Sequence, residues 1–263
     1  MPKISADNDP GMPLMSHLLE LRNRLLRIIG LVLLIFLGLI YFANDLYGIL
    51  AQPIRDILPD DVPMIATEVT STFFAPFKLT LWVAFFVAMP YVLTQAWQFV
   101  SPGLYDNEKR IALPLIASSI LLFYCGMAFA YFVVLPLMLN FFAQVTPDAV
   151  QLTPDINQYL TIALKLFFAF GLAFQVPVAT FLLMWSGVLS PKELKEKRPY
   201  VIVGCFLFGM LLTPPDAISQ TLLAVPMWLL FEVGVLFGRW VPRRPEDIKK
   251  NGHDSDKNAE KAI

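Results

Sequence analysis

The chain has 263 residues, of which 57% are hydrophobic and 16% charged, and its mean hydropathy is +0.61. A soluble domain carries about a quarter charged residues, and here the apolar residues fall in blocks, which implies several membrane spans in place of one large aqueous core. The formal net charge of −1 says nothing about nucleic acid, and Cys125 and Cys205 lie inside apolar runs with no C-x-x-C or ligand spacing, so both read as packed thiols.

Residues 1–15 are rich in Pro, Gly and Asp and read as a disordered arm. From Ser16 to Arg27 the pattern becomes S-H-L-L-E-L-R-N-R-L-L-R. Leu18, Leu21 and Leu25 share one helical face, and Glu20, Arg24 and Arg27 line another. This predicts an amphipathic helix at the membrane surface that runs into span one, Ile28 to Ala43. Basic residues precede that span as in a signal peptide, but no clean A-x-A site follows and the Glu20–Arg24 face is foreign to such a leader.

Asn44 to Pro76 reads as a long acidic connection, punctuated by Pro53, Pro59, Pro63 and Pro76, with room for short helices only. Asp45 to Leu58 alternates apolar and polar residues, as a segment lying flat at the interface would. Span two is Leu79 to Val100, with Pro90 near its middle. Ser101 to Arg110, S-P-G-L-Y-D-N-E-K-R, is a compact charged loop. Span three begins at Ile111, and a helix from there to Val145 would be about 52 Å long, more than the roughly 30 Å of hydrocarbon. Pro136 is its natural kink site. After a second acidic connection, Thr146 to Gln158, span four holds Lys165, Gln175 and Pro177. Ser190 to Pro199 is a second compact charged turn. Thr213-Pro214-Pro215-Asp216 divides the last apolar stretch into two short pieces, Tyr200 to Leu212 and Ala217 to Phe231, the second interrupted by Glu232. The tail from Arg239 mixes both signs of charge and reads as disordered.

The expected architecture is therefore an all-α membrane protein. A six-span domain over 16–238 lies between the arm at 1–15 and the tail at 239–263. Seventeen of the twenty Lys and Arg fall in alternate segments, against Arg55 alone on the opposite side, with Lys78 and Lys165 at or within spans. That bias puts both ends and the 101–110 loop in the cytoplasm.

The sequence contains no Walker G-x-x-x-x-G-K-[ST] and no H-E-x-x-H, and neither histidine, His17 or His253, lies in an apolar run. No enzyme, metal site or cofactor is expected. What remains is a set of polar residues at membrane depth or at the interface. Lys165 and Glu232 are ionisable, with snorkelling and pairing to a nearby base as their plain readings. Gln175 can hydrogen-bond but carries no proton. Glu20 and Glu108 sit at the cytoplasmic interface near Phe99 and Tyr105. They either balance Arg22, Lys109 and Arg110 or accept forked hydrogen bonds from an arginine ligand, and periodicity does not choose between the two.

The chain resembles the TatC family, the multispanning component of the twin-arginine protein translocase. The motifs that carry the resemblance are H-L-L-E-L-R at 17–22, M-I-A-T-E at 64–68, the 101–110 loop, L-L-F-Y-C-G-M-A-F-A-Y-F-V-V at 121–134, K-R-P-Y at 197–200 and G-M-L-L-T-P-P-D at 209–216. The resemblance implies a multi-pass protein of the bacterial cytoplasmic (inner) membrane. It would bind signal peptides bearing two consecutive arginines on folded cargo, with transport driven by the proton-motive force. It implies Glu20 and Glu108 as the arginine-recognising acids, supported by Arg22 and Phe99. It also implies TatA and TatB as partners, near Met210, Thr213 and Gln220, and a multi-copy complex in contact with lipid. The short last two helices suggest a concave bundle with a thin wall. One departure is Gln175, where the family often has glutamate, with the unusual Lys165 in the same helix. An ion-coupled solute carrier using Glu232, Lys165 and Gln175 is the competing class, although no inverted repeat supports it. A passive anchor subunit is a third.

Overall fold

The structure, a computed structural model, describes residues 11–56, 64–100, 109–145, 153–185, 189–212 and 217–238. The described residues are helical apart from short connections and one isolated β-bridge. In chain order the helices are α1 (Gly11–Leu39), α2 (Ala43–Arg55), α3 (Ser71–Val100), α4 (Lys109–Phe129), α5 (Leu135–Val145), α6 (Ile156–Ala173), α7 (Val176–Trp185), α8 (Pro191–Glu196), α9 (Arg198–Leu212) and α10 (Ala217–Gly238). Four stretches are long and apolar enough to cross a membrane: Leu18–Arg55, Ser71–Phe99, Leu113–Val145 and Ile156–Trp185. Arg198–Leu211 and Gln220–Leu236 are shorter apolar helices. The chain divides into two compact units, one of residues up to 120 with 153–160, the other of residues 121–152 with 161 onward.

In the first unit α1 and α2 both pack on α3. The helix of α1 starts at Gly11, inside the stretch assigned to the arm, and passes through a 3-10 turn at Ile40–Phe42 into α2. The connection from 44 to 76 is thus more helical than its prolines suggest. Pro53 lies in the last turn of α2, where Leu50, Ala51, Pro53 and Ile54 form the buried stripe of an amphipathic helix. Pro76 lies inside α3, which begins at Ser71 and not at Leu79. The start of α3 is held by Glu68, whose carbonyl accepts from Ser71 N at 3.0 Å and Ser71 Oγ at 2.6 Å. Further along, Trp97 Nε1 donates to Ser119 Oγ at 3.0 Å, tying α3 to the first half of α4.

The M-I-A-T-E segment is pinned to the start of α6 by Asp155. Its Oδ1 caps the helix, accepting from the backbone N–H of Asn157 and Gln158 at 2.9 Å each. Its Oδ2 accepts from Thr67 N at 2.9 Å and Thr67 Oγ1 at 2.7 Å. The Ile65–Asp155 bridge lies alongside, with Ile65 N on Pro154 O at 3.1 Å and Ile156 N on Ile65 O at 3.0 Å. One turn on, Tyr159 donates its hydroxyl to Leu50 O of α2 at 2.7 Å. The two Thr67 bonds, then the capped amides, hold the Asp155 carboxyl down at about 2 against a small opposing effect of burial.

In the second unit α7 and α9 pack on α10, and Met184, Leu194, Phe231 and Val235 form a core where α7, α8 and α10 meet. The long third span is not a uniform helix. A π turn occupies Ala130–Val134, directly before Pro136. Pro136 has no N–H, and its ring would press on the carbonyl of residue 132 in a regular helix. The wide turn relieves both, so the irregularity falls one turn ahead of the proline. The fourth span is broken at Phe174–Gln175. Gln175 N bonds Leu172 O in a tight i to i−3 contact, and Ala179 N restarts the ladder on Gln175 O at 2.8 Å. Pro177 is the cause, since it cannot donate to Ala173.

Glycines set the closest approaches in this unit. A methyl at Gly126 would come within 2.5 Å of Phe170 O. At Gly234 it would collide with Thr180 Oγ1 and lie 2.9 Å from Pro177 Cα. The charged turn at 190–199 contains a helix of its own, α8, with a capping box. Glu193 N donates to Ser190 Oγ at 3.2 Å, and Ser190 N donates to Glu193 Oε2 at 2.7 Å. Helix α10 does not stop at Glu232 but runs on to Gly238. Thr213–Asp216 and the tail lie outside the described residues.

Two outcomes are expected in thermal unfolding of the purified protein in detergent. Asp155→Ala removes the cap and both Thr67 bonds and costs about 2–4 kcal/mol, while Asp155→Asn retains part of this. Because the folded carboxyl lies below its ordinary value of 3.8, its contribution is complete above that pH. It is lost as pH falls from there through about 2, so the Asp155→Ala deficit stays constant between pH 5 and 8. Gly234→Ala overpacks the α7–α10 contact and costs about 1–3 kcal/mol. An unchanged melting temperature would contradict that contact.

Candidate functional site

A cleft of about 470 Å³ opens between α1 and the C-terminal part of α3 in the first unit. That lies in the size range of ligand pockets, about 300–1,000 Å³. Its walls are Leu19, Glu20, Asn23, Arg24 and Arg27 from α1 and Gln95 and Gln98 from α3. The helical repeat explains the first set: positions 20, 24 and 27 lie one above another at i, i+4 and i+7. Gln95 and Gln98 are three apart and share a face of α3 in the same way.

Arg24 organises this cleft. Its Nε and Nη2 donate to Glu20 Oε1 at 2.9 and 2.6 Å. Its Nη1 donates to Gln95 Oε1 at 2.7 Å and to Gln98 Oε1 at 3.1 Å, with Gln95 O at 3.4 Å. A guanidinium has donors only, so both glutamines must turn their amide oxygens toward it. The depths differ: the Arg24 side chain is 18% exposed and that of Glu20 49%. Gln95 is buried, and losing Arg24 would leave its amide oxygen without a donor, at a cost of about 1–3 kcal/mol. The ion pair alone, half in water and four residues apart on one helix, contributes little, about 0.3–0.5 kcal/mol.

The sequence-predicted residues are distributed unevenly around this centre. Glu20 is in the cleft wall. Arg22 is exposed, with a long 3.4 Å contact to the neighbouring Asn23, and is not part of the wall. Phe99 is half-buried and follows Gln98 directly on α3. Glu108 lies outside the described residues, one position before α4 begins at Lys109.

The intramembrane polar residues do not gather into one site. In the second unit Glu232 accepts from Arg198 Nη2 at 2.5 Å. This is the pairing foreseen for Glu232, with a base from the K-R-P-Y motif. The pair explains why α10 continues through an acid. Lys165 is exposed on α6 and makes no ion pair with a described residue. Gln175 is half-buried at the α6–α7 break. Among the described residues no cluster of His, Cys, Asp or Glu could hold a metal.

Met210 is 56% exposed on α9, within an apolar face that includes Val203, Leu207 and Leu211. Gln220 reaches across from α10 and donates Nε2 to Phe206 O at 2.8 Å. Thr213 lies outside the described residues.

Arg24, Gln95, Gln98 and Asp155 were not singled out by sequence reasoning. The i, i+3 spacing of the two glutamines in span two, opposite an arginine at interface depth, was an available signal for three of them. The S-P-K-E capping box was an available signal for α8.

The family model for the Sec-independent protein translocase protein TatC matches residues 16–226. A TatC protein of Azotobacter chroococcum mcd 1 is 61% identical over 246 residues, covering 94% of this chain and 96% of the relative. That of Escherichia coli K12 is 51% identical over 251 residues, covering 94% and 97%. A crystal structure of the twin-arginine translocase receptor TatC superposes with a TM-score of 0.77 at 39% identity, covering 86% of this chain and all of that one. With a family match over most of its length, bacterial relatives and several membrane-spanning helices, the chain belongs to the TatC family, as a multi-pass inner-membrane component of a bacterial Sec-independent protein translocase.

Proposed function

We propose that the α1–α3 cleft is the receptor site for twin-arginine signal peptides, with Glu20 and Glu108 as the two recognising carboxylates and Arg22 and Phe99 in support. The observation that carries this reading is that the cleft already holds a guanidinium, that of Arg24, between a carboxylate and two amide oxygens. The chemistry needed for an arginine ligand is therefore in place. An ammonium has neither the planar fork nor the five donors to use it as well. Arg24 and Arg27 both border the cleft, so a ligand bringing two more positive charges needs a second acid. Glu108 supplies it from a connection that leaves α3 two residues after Gln98, well within the reach of eight residues of chain.

In this reading the chain has six spans with both ends and the 101–110 loop in the cytoplasm, as the distribution of Lys and Arg indicates. The apolar stretch of the signal peptide lies against the apolar helices beside the cleft, and movement of folded cargo is driven by the proton-motive force. TatA and TatB are the single-span partners. The exposed apolar face of α9 around Met210, with Gln220 beside it, suits a transmembrane partner helix. A solute-carrier reading is weakened because Glu232 is already neutralised by Arg198.

Binding of a twin-arginine signal peptide to membranes carrying the assembled complex tests the acids. Glu20→Gln and Glu108→Gln should each weaken it about tenfold or more, since a hydrogen bond to a charged group contributes about 1.5–3 kcal/mol. Equal binding of twin-arginine and twin-lysine peptides by the unaltered complex would overturn the assignment. Separately, Gln175→Glu should retain export of a folded reporter, because either side chain can accept a hydrogen bond at the α6–α7 break. Complete loss would mean that the neutral amide is essential.

A further inference from the structure

Glu20 takes both bonds from Arg24 on a single oxygen, Oε1. An arginine filling a carboxylate site for its own sake would fork across both oxygens. Here the one-sided geometry leaves Oε2 without a bond to any described residue. A carboxylate offers about four acceptor positions, so Oε2 can still receive a second guanidinium. The depths agree with this. Arg24 lies behind, anchored to the buried Gln95 and to Gln98, while Glu20 lies in front, half in water. A ligand approaching from solvent meets Glu20 first. To displace Arg24 it would have to strip the guanidinium from Glu20 on α1 and from Gln95 and Gln98 on α3.

We propose that Arg24 is a positioning residue that fixes the Glu20 carboxylate to α3 so that Oε2 faces an incoming signal-peptide arginine. This rests on Glu20 being a recognition acid. Without Arg24 the Glu20 side chain, on an exposed face of α1, is free to rotate through its rotamers. It remains negative but no longer presents an oriented acceptor. The consequence is specific: orientation matters for the directional fork of a guanidinium and much less for the compact charge of an ammonium. Arg24 therefore acts on the preference for arginine over lysine as well as on affinity.

The test is peptide binding to membranes carrying the full complex, comparing twin-arginine and twin-lysine signal peptides. Arg24→Gln should weaken twin-arginine binding about tenfold while changing twin-lysine binding much less, so that the preference narrows. Arg24→Lys should recover part of the loss, since an ammonium reaches Glu20 but cannot span all three side chains. In a Glu20→Gln background, Arg24→Gln should add little, because its effect passes through Glu20. If Arg24→Gln does not accumulate, Gln98→Leu carries the same test with a smaller loss, since it removes one anchor and leaves the ion pair. Unchanged or tighter twin-arginine binding in Arg24→Gln would overturn the proposal, as would a loss of equal size with and without Glu20. If Glu20→Gln itself has no effect, the receptor reading fails first. If Glu20→Gln weakens binding and Arg24→Gln does not, the positioning role alone fails.

Discussion

Moving a charged side chain out of water costs several kcal/mol unless hydrogen-bonded counter-groups are waiting for it. In a chain with 16% charged residues, that constraint decides where polar groups can join one helix to another. Three joints among the described residues illustrate it. Arg24 joins α1 to α3 through Glu20, Gln95 and Gln98. Asp155 joins the 64–70 segment to the start of α6. Arg198 joins the start of α9 to α10 through Glu232. Each lies at or near the end of a helix, where an apolar stretch gives way to polar sequence. The apolar lengths between them are held by glycine contacts and aromatic packing, such as Phe129 against Phe170 and Tyr131 against Phe167.

The three joints are not equivalent. Asp155 is buried, and donors from Thr67, Asn157 and Gln158 satisfy both its oxygens, so it has no capacity left for a ligand. Glu232 is 24% exposed and pairs with an arginine that is itself partly exposed. Glu20 is about half exposed and bonded through one oxygen only. Of these three acids, Glu20 combines an oxygen without a bond to a described residue with the greatest exposure. That combination, more than the size of the cleft, favours the proposed recognition role of Glu20 over a purely structural one.

Much of the architecture was legible because the bilayer simplifies the sequence. Apolar blocks mark the long spans, Leu18–Arg55, Ser71–Phe99, Leu113–Val145 and Ile156–Trp185, without any packing information. Prolines were the less reliable guide. Pro76 and Pro53 read as breaks and sit inside helices, while Pro136 and Pro177 disturb the helix one turn ahead of themselves, at Ala130–Val134 and Phe174–Gln175. A proline's effect depends on which carbonyl loses its donor and on what surrounds it, and neither is written locally in sequence. Glu232 misled for the same reason. An acid ends an apolar run on a hydropathy reading, but Arg198, 34 residues earlier, allows the helix to continue. The candidate site was legible in part. Glu20 could be named from motif resemblance, whereas Arg24, Gln95 and Gln98 become a unit only once α1 lies on α3.

A receptor for two arginines faces a problem of contrast, because a bare acidic patch would attract any basic segment. Attraction by net charge is long-range, screened by salt and indifferent to the shape of the cation. Here the cleft carries Arg24 and Arg27 beside Glu20, so its local field gives a cation little general encouragement. On the proposed assignment, what it offers is directional, an acceptor oxygen on a carboxylate whose other oxygen is already tied down. Fixing that carboxylate with an arginine weakens non-specific attraction and sharpens geometry at once, since the same guanidinium supplies the opposing charge and the anchor. A lysine ligand would meet the repulsion without being able to use the geometry as well. The cost is lower affinity from any one acid, which a second carboxylate and the apolar stretch of the peptide must offset.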